Sequence, residues 1–195
     1  MELSPLAKER LAKIGDLSSE EKERMRQSEE LDSMLSEYFK GNLNSEDLWK
    51  KLKALKEQRG EPVIKEAQAK LVDTLRLQMD QVGLAQRRNA ILAIETIKDE
   101  GKYSSLELIL DSIETLRQKY TQVKKQTYEQ FKVGIERQLQ AVTQEAIKRG
   151  MKIDVGSSVE ANIKASPQWK SFISEHDKAS EETFNSYIAR LRELI

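Results

Sequence analysis

Apolar residues recur every three or four positions over most of the chain, a spacing typical of amphipathic helices. The longest such pattern extends from Ser105 to Arg149, and Gly150 comes after it as a residue suited to ending a helix. Its first apolar positions alternate steps of three and four, as in the seam of a coiled coil. We predict an interaction seam that consists of Leu106, Ile109, Ile113, Leu116, Tyr120 and Val123.

Beyond Val123 the apolar pattern changes phase. The next seam positions are Thr127 and Gln130, and the apolar stripe resumes one residue later, at Tyr128. A helix whose apolar face rotates in this way either bends or changes its packing partner. We place that change near Gly134.

A second long pattern precedes the first. It predicts a helix over residues 62–100, with Gly83 as a weak point inside it and Gly101 as its stop. Ser104, with Glu107 three residues later, matches a capping box for the next helix. One helix therefore ends, a short linker follows and the next helix begins. This order predicts that the two helices fold back on each other as a long antiparallel hairpin.

The N-terminal part of the chain predicts a smaller helical hairpin. Ser18 and Glu21 match a capping box for a helix that Gly41 ends. Asn44 is suited to start another helix, which Gly60 ends.

The first 30 residues are poor in apolar side chains. Ser4 and Pro5 predict the start of a short helix that ends at Gly15. With so little apolar surface to bury, we expect any helix before residue 31 to be solvated or frayed, and this part of the chain to be mobile.

The C-terminal part predicts an extended connector over residues 151–155, a short helix capped by Ser157 and a final helix that starts at Pro167. The final helix has one apolar stripe, formed by Trp169, Ile173, His176, Phe184, Tyr187, Leu191 and Leu194. Tyr128, Phe131 and Ile135 of the long helix have no other predicted cover, so we expect the final helix to pack on them.

These patterns together predict an all-α fold. It is an elongated helical bundle built on a long antiparallel hairpin that resembles a coiled coil. We divide the chain into a region with the small hairpin (1–60), the long hairpin (61–150), and a connector with C-terminal helices packed on the hairpin (151–195).

Composition limits the function classes. The 33 basic residues equal the 33 acidic ones, so no net charge attracts nucleic acid or acidic lipid. The chain has no cysteine, which excludes disulfides and thiolate chemistry. The sequence contains no run of about 18 apolar residues, so we predict no membrane span. The first residues also lack the apolar run of a secretory signal. We therefore expect a cytoplasmic protein.

The single histidine, His176, has no partner for chemistry on its helix face. Phe172, Ile173, Ala179 and Ser180 lie three or four residues away, and none is a metal ligand or an acid–base partner of the usual kind. We expect His176 to be a packing residue. Because phosphate-binding and nucleophile motifs are also missing, we predict that the protein is not an enzyme and has no catalytic residue, metal or cofactor.

The segment from Arg117 to Arg149 is basic, with eight cationic side chains against three acidic ones. One interpretation is a stripe that tracks nucleic-acid phosphates, and the other is a solvated helix face beside acidic residues of another helix. The candidate nucleic-acid contacts are Lys124, Lys125, Lys132 and Arg137.

A two-helix hairpin buries only one side of each helix, so its remaining apolar positions need another surface. We therefore predict a helical scaffold or adaptor that acts through protein–protein interaction. It would self-associate at the seam, as a homodimer, and bind a further protein partner. The alternative is a nucleic-acid-associated factor that uses the basic stripe.

Overall fold

The computed structural model of the protein describes residues 18–149 and 159–195. These residues form seven helices and no strand, which confirms the all-α fold class. In chain order the helices are α1 (Ser19–Phe39), α2 (Ser45–Arg59), α3 (Glu61–Asp73), α4 (Gln81–Glu95), α5 (Tyr103–Lys148), α6 (Val159–Ala165) and α7 (Pro167–Leu194). The helix predicted after Ser4, the connector over 151–155 and the cap at Ser157 lie outside the described residues.

The helices belong to two compact units. The first contains residues 18–74 and 85–103, and therefore α1, α2, α3 and most of α4. The second contains residues 75–84, 104–149 and 159–194, and therefore the start of α4 together with α5, α6 and α7.

In the first unit, α2 packs against α3 and α1 packs against both. Tyr38 connects α1 to α4, because its hydroxyl donates to the carbonyl oxygen of Gln86 at 2.9 Å and its own carbonyl accepts from the Gln86 amide at 2.8 Å. The core consists of aliphatic side chains, each of which stabilises the fold by about 1.5–3 kcal/mol when fully buried. Its most buried members include Leu31, Leu52, Ile64, Leu71 and Ile91.

The ends of α1 and α2 confirm the predicted caps. The Ser18 hydroxyl accepts from the N–H of Glu21 at 3.2 Å, and the Glu21 carboxylate accepts from the N–H of Ser18 at 2.8 Å. The side chain of Asn44 accepts from a first-turn N–H of α2. Gly60 ends α2 and also precedes α3 directly, with φ of 80°, a conformation that a residue with a Cβ adopts only with strain.

The predicted continuous helix over residues 62–100 is wrong, because the chain leaves the helix after Asp73. The Thr74 hydroxyl donates to the carbonyl of Leu71 at 2.7 Å, a local bond that competes with helix continuation. Leu75 and Leu77, in the break, are buried. Their burial stabilises the break, although apolar spacing alone does not reveal it.

α4 begins after the break with a cap that the sequence pattern did not indicate. The Asp80 carboxylate accepts from the N–H of Gly83 at 2.6 Å, so Gly83 lies in the first turn of α4 rather than inside a long helix. α4 ends at Glu95 instead of residue 100, and α5 begins at Tyr103. Ser104 therefore lies in the first turn of α5, and its predicted role as the N-cap is wrong.

The second unit is dominated by α5, whose 46 residues extend over about 69 Å at the usual helical rise. The helix is continuous through Gly134 and ends at Lys148, close to the predicted end at Arg149. α6 and α7 pack against each other. The pairing of α4 with α5 as the two arms of a hairpin stays a prediction.

Candidate interaction site

Aromatic rings join α5 to α7. Trp169 lies edge-on to Tyr128 and to Phe131, with ring centroids 5.6 and 5.7 Å apart. Each such pair stabilises the packing by about 0.5–1.5 kcal/mol beyond the area that it buries. The predicted packing of the final helix on α5 is confirmed at Tyr128 and Phe131, whereas Ile135 lines an open groove.

His176 lies between two other rings of the same cluster. It stacks on Tyr120 at 5.1 Å and on Phe172 at 5.3 Å, with interplanar angles of 6° and 10°. Its Nε2 is 3.1 Å from the carbonyl oxygen of Tyr120, and because a carbonyl only accepts, Nε2 must carry the donated hydrogen. His176 therefore has the packing role that we predicted.

A polar group adjoins the stack. The Tyr120 hydroxyl donates to Asp177 Oδ1 at 2.9 Å and accepts from Lys124 Nζ at 2.9 Å. Partial burial alone lowers the pKa of Lys124, but the bond to Tyr120 and the charge of Asp177 outweigh burial and raise the pKa above its ordinary value. Lys124 is thus a structural cation that fastens α5 to α7.

Beyond the aromatic cluster, α5, α6 and the start of α7 leave an open groove of about 710 Å³. It is lined on one side by Gln130, Phe131, Gly134, Ile135, Gln138, Leu139 and Val142, and on the other by Asn162, Ser166, Pro167 and Gln168. None of these described lining residues is charged, although 34% of the chain is. The groove surface therefore consists of apolar and uncharged polar groups.

One side of the groove continues along α5 as a row of glutamines. At steps of four residues the helix places Gln118, Gln122, Gln126, Gln130, Gly134 and Gln138, and all six are exposed. We call these six residues the glutamine row. The spacing of apolar residues does not reveal this row, because glutamine belongs to neither an apolar stripe nor a charged one.

The predicted seam is mostly inaccessible in the single chain. Leu106, Ile109, Ile113 and Tyr120 are buried, Leu116 is half-buried and Val123 is 39% exposed. The four buried side chains are inaccessible to a second chain in this conformation. The exposed apolar residues of α5 that lie farther along include Val133 and Val142.

The candidate nucleic-acid contacts do not share one face. Lys125 and Lys132 are seven residues apart and lie on the same side of α5, whereas Arg137 lies about 140° around the helix from Lys132. Lys124 is paired with Asp177 at 3.3 Å. Arg117, at the start of the stripe, donates to the carbonyl of Met79 at 3.1 Å. A continuous phosphate-binding line is therefore not formed by these side chains.

The first unit contains a buried polar cluster that the sequence patterns did not reveal. Glu95 accepts from Gln68 Nε2 at 2.7 Å, from Lys98 Nζ at 2.9 Å and from the N–H of Lys102 at 2.5 Å. Gln68 also donates to the carbonyl of Ile91 at 3.1 Å. The side chains of Glu95 and Lys98 are only 1% and 3% exposed.

This cluster closes the turn between α4 and α5. Burial alone raises the pKa of Glu95, but the bonds from Lys102, Gln68 and Lys98 together hold the pKa below its ordinary value of 4.5. A Cβ on Gly101 would lie 3.2 Å from the carbonyl oxygen of Glu95, so glycine permits the close approach of the turn. The sequence signal for the cluster was weak, because it consisted only of Glu95 and Lys98 three residues apart, with Gly101 a further three residues on.

The described residues contain no group of three or more His, Asp or Glu side chains that could hold a metal ion. None of the helices in the described ranges combines the length and apolarity needed to cross a lipid bilayer.

The model of a family of unknown function, DUF6657, matches residues 49–195. The chain belongs to this family. The DUF6657 region begins at Trp49 within α2 and includes the Glu95 cluster, the aromatic cluster and the groove.

No curated protein matches the chain, and neither does any solved structure.

Proposed function

We propose that this DUF6657 protein is a helical scaffold or adaptor that acts through protein–protein interaction and self-association. The observation that carries the proposal is the uncharged groove beside α5. Partner-binding surfaces are typically depleted in charge at their centre, and this groove combines half-buried Phe131, Ile135 and Leu139 with an exposed rim of amide side chains.

The groove replaces the predicted seam as the surface to test. Burial removes Leu106, Ile109 and Ile113 from contact with a partner, whereas Val142 on the groove wall is 57% exposed.

Sedimentation of the purified protein over a micromolar concentration series tests the proposal. We expect a species heavier than the 22.5 kDa monomer, and we expect Val142→Glu to shift it toward the monomer. Leu108→Glu is the matched control, because Leu108 is also on α5 and is 66% exposed. A wild-type protein that stays monomeric over the whole series would contradict self-association.

A further inference from the structure

We propose that the glutamine row and the adjoining groove wall bind the same surface of a second copy of this chain, with the two α5 helices antiparallel and crossing at Gly134. This inference rests on the proposed function, because it names the partner of the groove. It goes further by fixing which residues meet across the twofold axis.

Gly134 is the first support for the crossing. Glycine inside a helix destabilises it relative to alanine, and Gly134 lies in the interior of α5, 14 residues before its end at Lys148. Nothing among the described residues explains it, since a Cβ at this position would meet no atom within 4 Å and φ is not positive. A helix of a second copy that passes close to the backbone would give the missing side chain a structural reason.

The absence of charge on the row is the second support. In a twofold interface the same patch occurs on both subunits, so a charge near the axis meets an identical charge. The groove wall from Gln130 to Val142 offers amides and aliphatic groups to the groove, and its charged neighbours do not line it. Each glutamine amide has both donors and an acceptor, which makes the row complementary to itself.

Charge also selects the antiparallel orientation. In a parallel pair each residue near the crossing meets its own counterpart, so Arg137 would approach Arg137. Juxtaposed like charges are unfavourable in interfaces. In an antiparallel pair centred on Gly134, Arg137 approaches Phe131 of the second copy and does not meet a like charge.

The row itself has the geometry of a packing ridge. Residues four apart form the ridges that interlock when two helices cross at about 50° in the commonest packing class. Centred on Gly134, such a crossing places Gln130 of one copy beside Gln138 of the other. That cross-subunit pair is specific to the antiparallel arrangement.

The lack of cysteine in the chain allows a direct test by single-cysteine cross-linking in the full-length protein. Gln130→Cys and Gln138→Cys proteins are oxidised separately and as a mixture, and the products are separated without reductant. We expect a disulfide-linked dimer in the mixture that combines one copy of each, and little in either protein alone. Lys125→Cys, on the opposite side of α5, is the control and should not cross-link.

Sedimentation of the same proteins distinguishes a failure of the antiparallel crossing from a failure of self-association. If each variant cross-links alone and the mixture adds nothing, the helices are parallel and the inference is wrong. If the wild type self-associates without any cross-link at these positions, the inference is wrong but the proposed function stands. If the wild type is monomeric throughout, both are wrong.

A second readout uses the uncharged character of the surface. We expect the dissociation constant of the wild-type dimer to change by less than about threefold between low and high salt, because screening acts on charges. Gly134→Arg should weaken the dimer by about tenfold or more, since two identical cations would meet at the axis. Salt-sensitive association, or a dimer that Gly134→Arg leaves unchanged, would overturn the inference.

Discussion

Replacing Glu95 by glutamine removes the charge at the centre of the buried polar cluster and keeps the shape of the side chain. The new amide oxygen can accept from Gln68 and Lys98, but the NH₂ group then faces the N–H of Lys102. One hydrogen bond to a charged acceptor is lost, at about 1.5–3 kcal/mol. The ammonium of Lys98, which is 3% exposed, also loses its counter-charge.

Breaking a buried ion pair by removing one partner typically destabilises a protein by about 3–5 kcal/mol. We expect Glu95→Gln to lower the free energy of unfolding by about 3 kcal/mol, near the lower limit, because the Lys102 N–H is only partly buried. Urea unfolding monitored by far-ultraviolet circular dichroism measures this loss. Hydrogen exchange at the Lys102 amide reports the local effect, and we expect faster exchange in the variant.

Glu37→Gln is the matched control. Glu37 also accepts hydrogen bonds, from Lys40 and Asn42, but it is exposed to solvent, so the variant should unfold at nearly the same urea concentration as the wild type. If Glu95→Gln behaves like Glu37→Gln and leaves exchange at Lys102 unchanged, the assignment of Glu95 as the centre of the turn is refuted.

The same cluster predicts a direction of pH dependence. The folded state holds the pKa of Glu95 below 4.5, so the ionised carboxylate favours folding. This contribution is present above the unfolded pKa and is lost as the pH falls below about 4.5, through the lower pKa of the folded state. Glu95→Gln should therefore show a smaller loss of stability between neutral and acidic pH than the wild type.

Three other predictions test separate parts of the structure. His176→Phe should retain the stack with Tyr120 and change stability by less than about 1 kcal/mol, whereas His176→Ala should cost about 1–3 kcal/mol in chemical denaturation. Asp80→Ala should destabilise the fold by about 0.5–2 kcal/mol through loss of the α4 cap, measured in the same way. Binding to duplex DNA at about 50 mM salt should be undetectable by fluorescence anisotropy. Measurable binding that Lys125→Ala and Lys132→Ala abolish would restore the basic stripe as a functional surface.

The features that were predictable from the sequence are those that depend on neighbouring residues. The helix caps are an example, because their side chains lie within three residues of the N–H groups that they cap. The structure shows the capping hydrogen bonds of Ser18, Glu21 and Asn44. The break after Asp73 was missed because Leu71 and Leu75 keep helical spacing across it. Burial of Leu75 depends on the tertiary fold, which spacing alone does not specify.

The candidate site shows the same limit. The apolar stripe of α7 predicted its packing on Tyr128 and Phe131, and the rings confirm it. The groove, in contrast, exists because α6 and α7 cover only part of α5, and that coverage depends on residues far apart in the chain. The Glu95 cluster likewise needs Gln68, which lies 27 residues away.

The single-residue junction at Gly60 fixes the angular phase between α2 and α3. Each residue added to a helix rotates all later residues by about 100° around its axis, and no loop separates these two helices to absorb the change. One insertion beside Gly60 would therefore rotate Ile64 and Ala67 away from the core, whereas the bend at Gly41 has several residues that could rearrange. Length variation in this chain should be tolerated between α1 and α2 and rejected between α2 and α3.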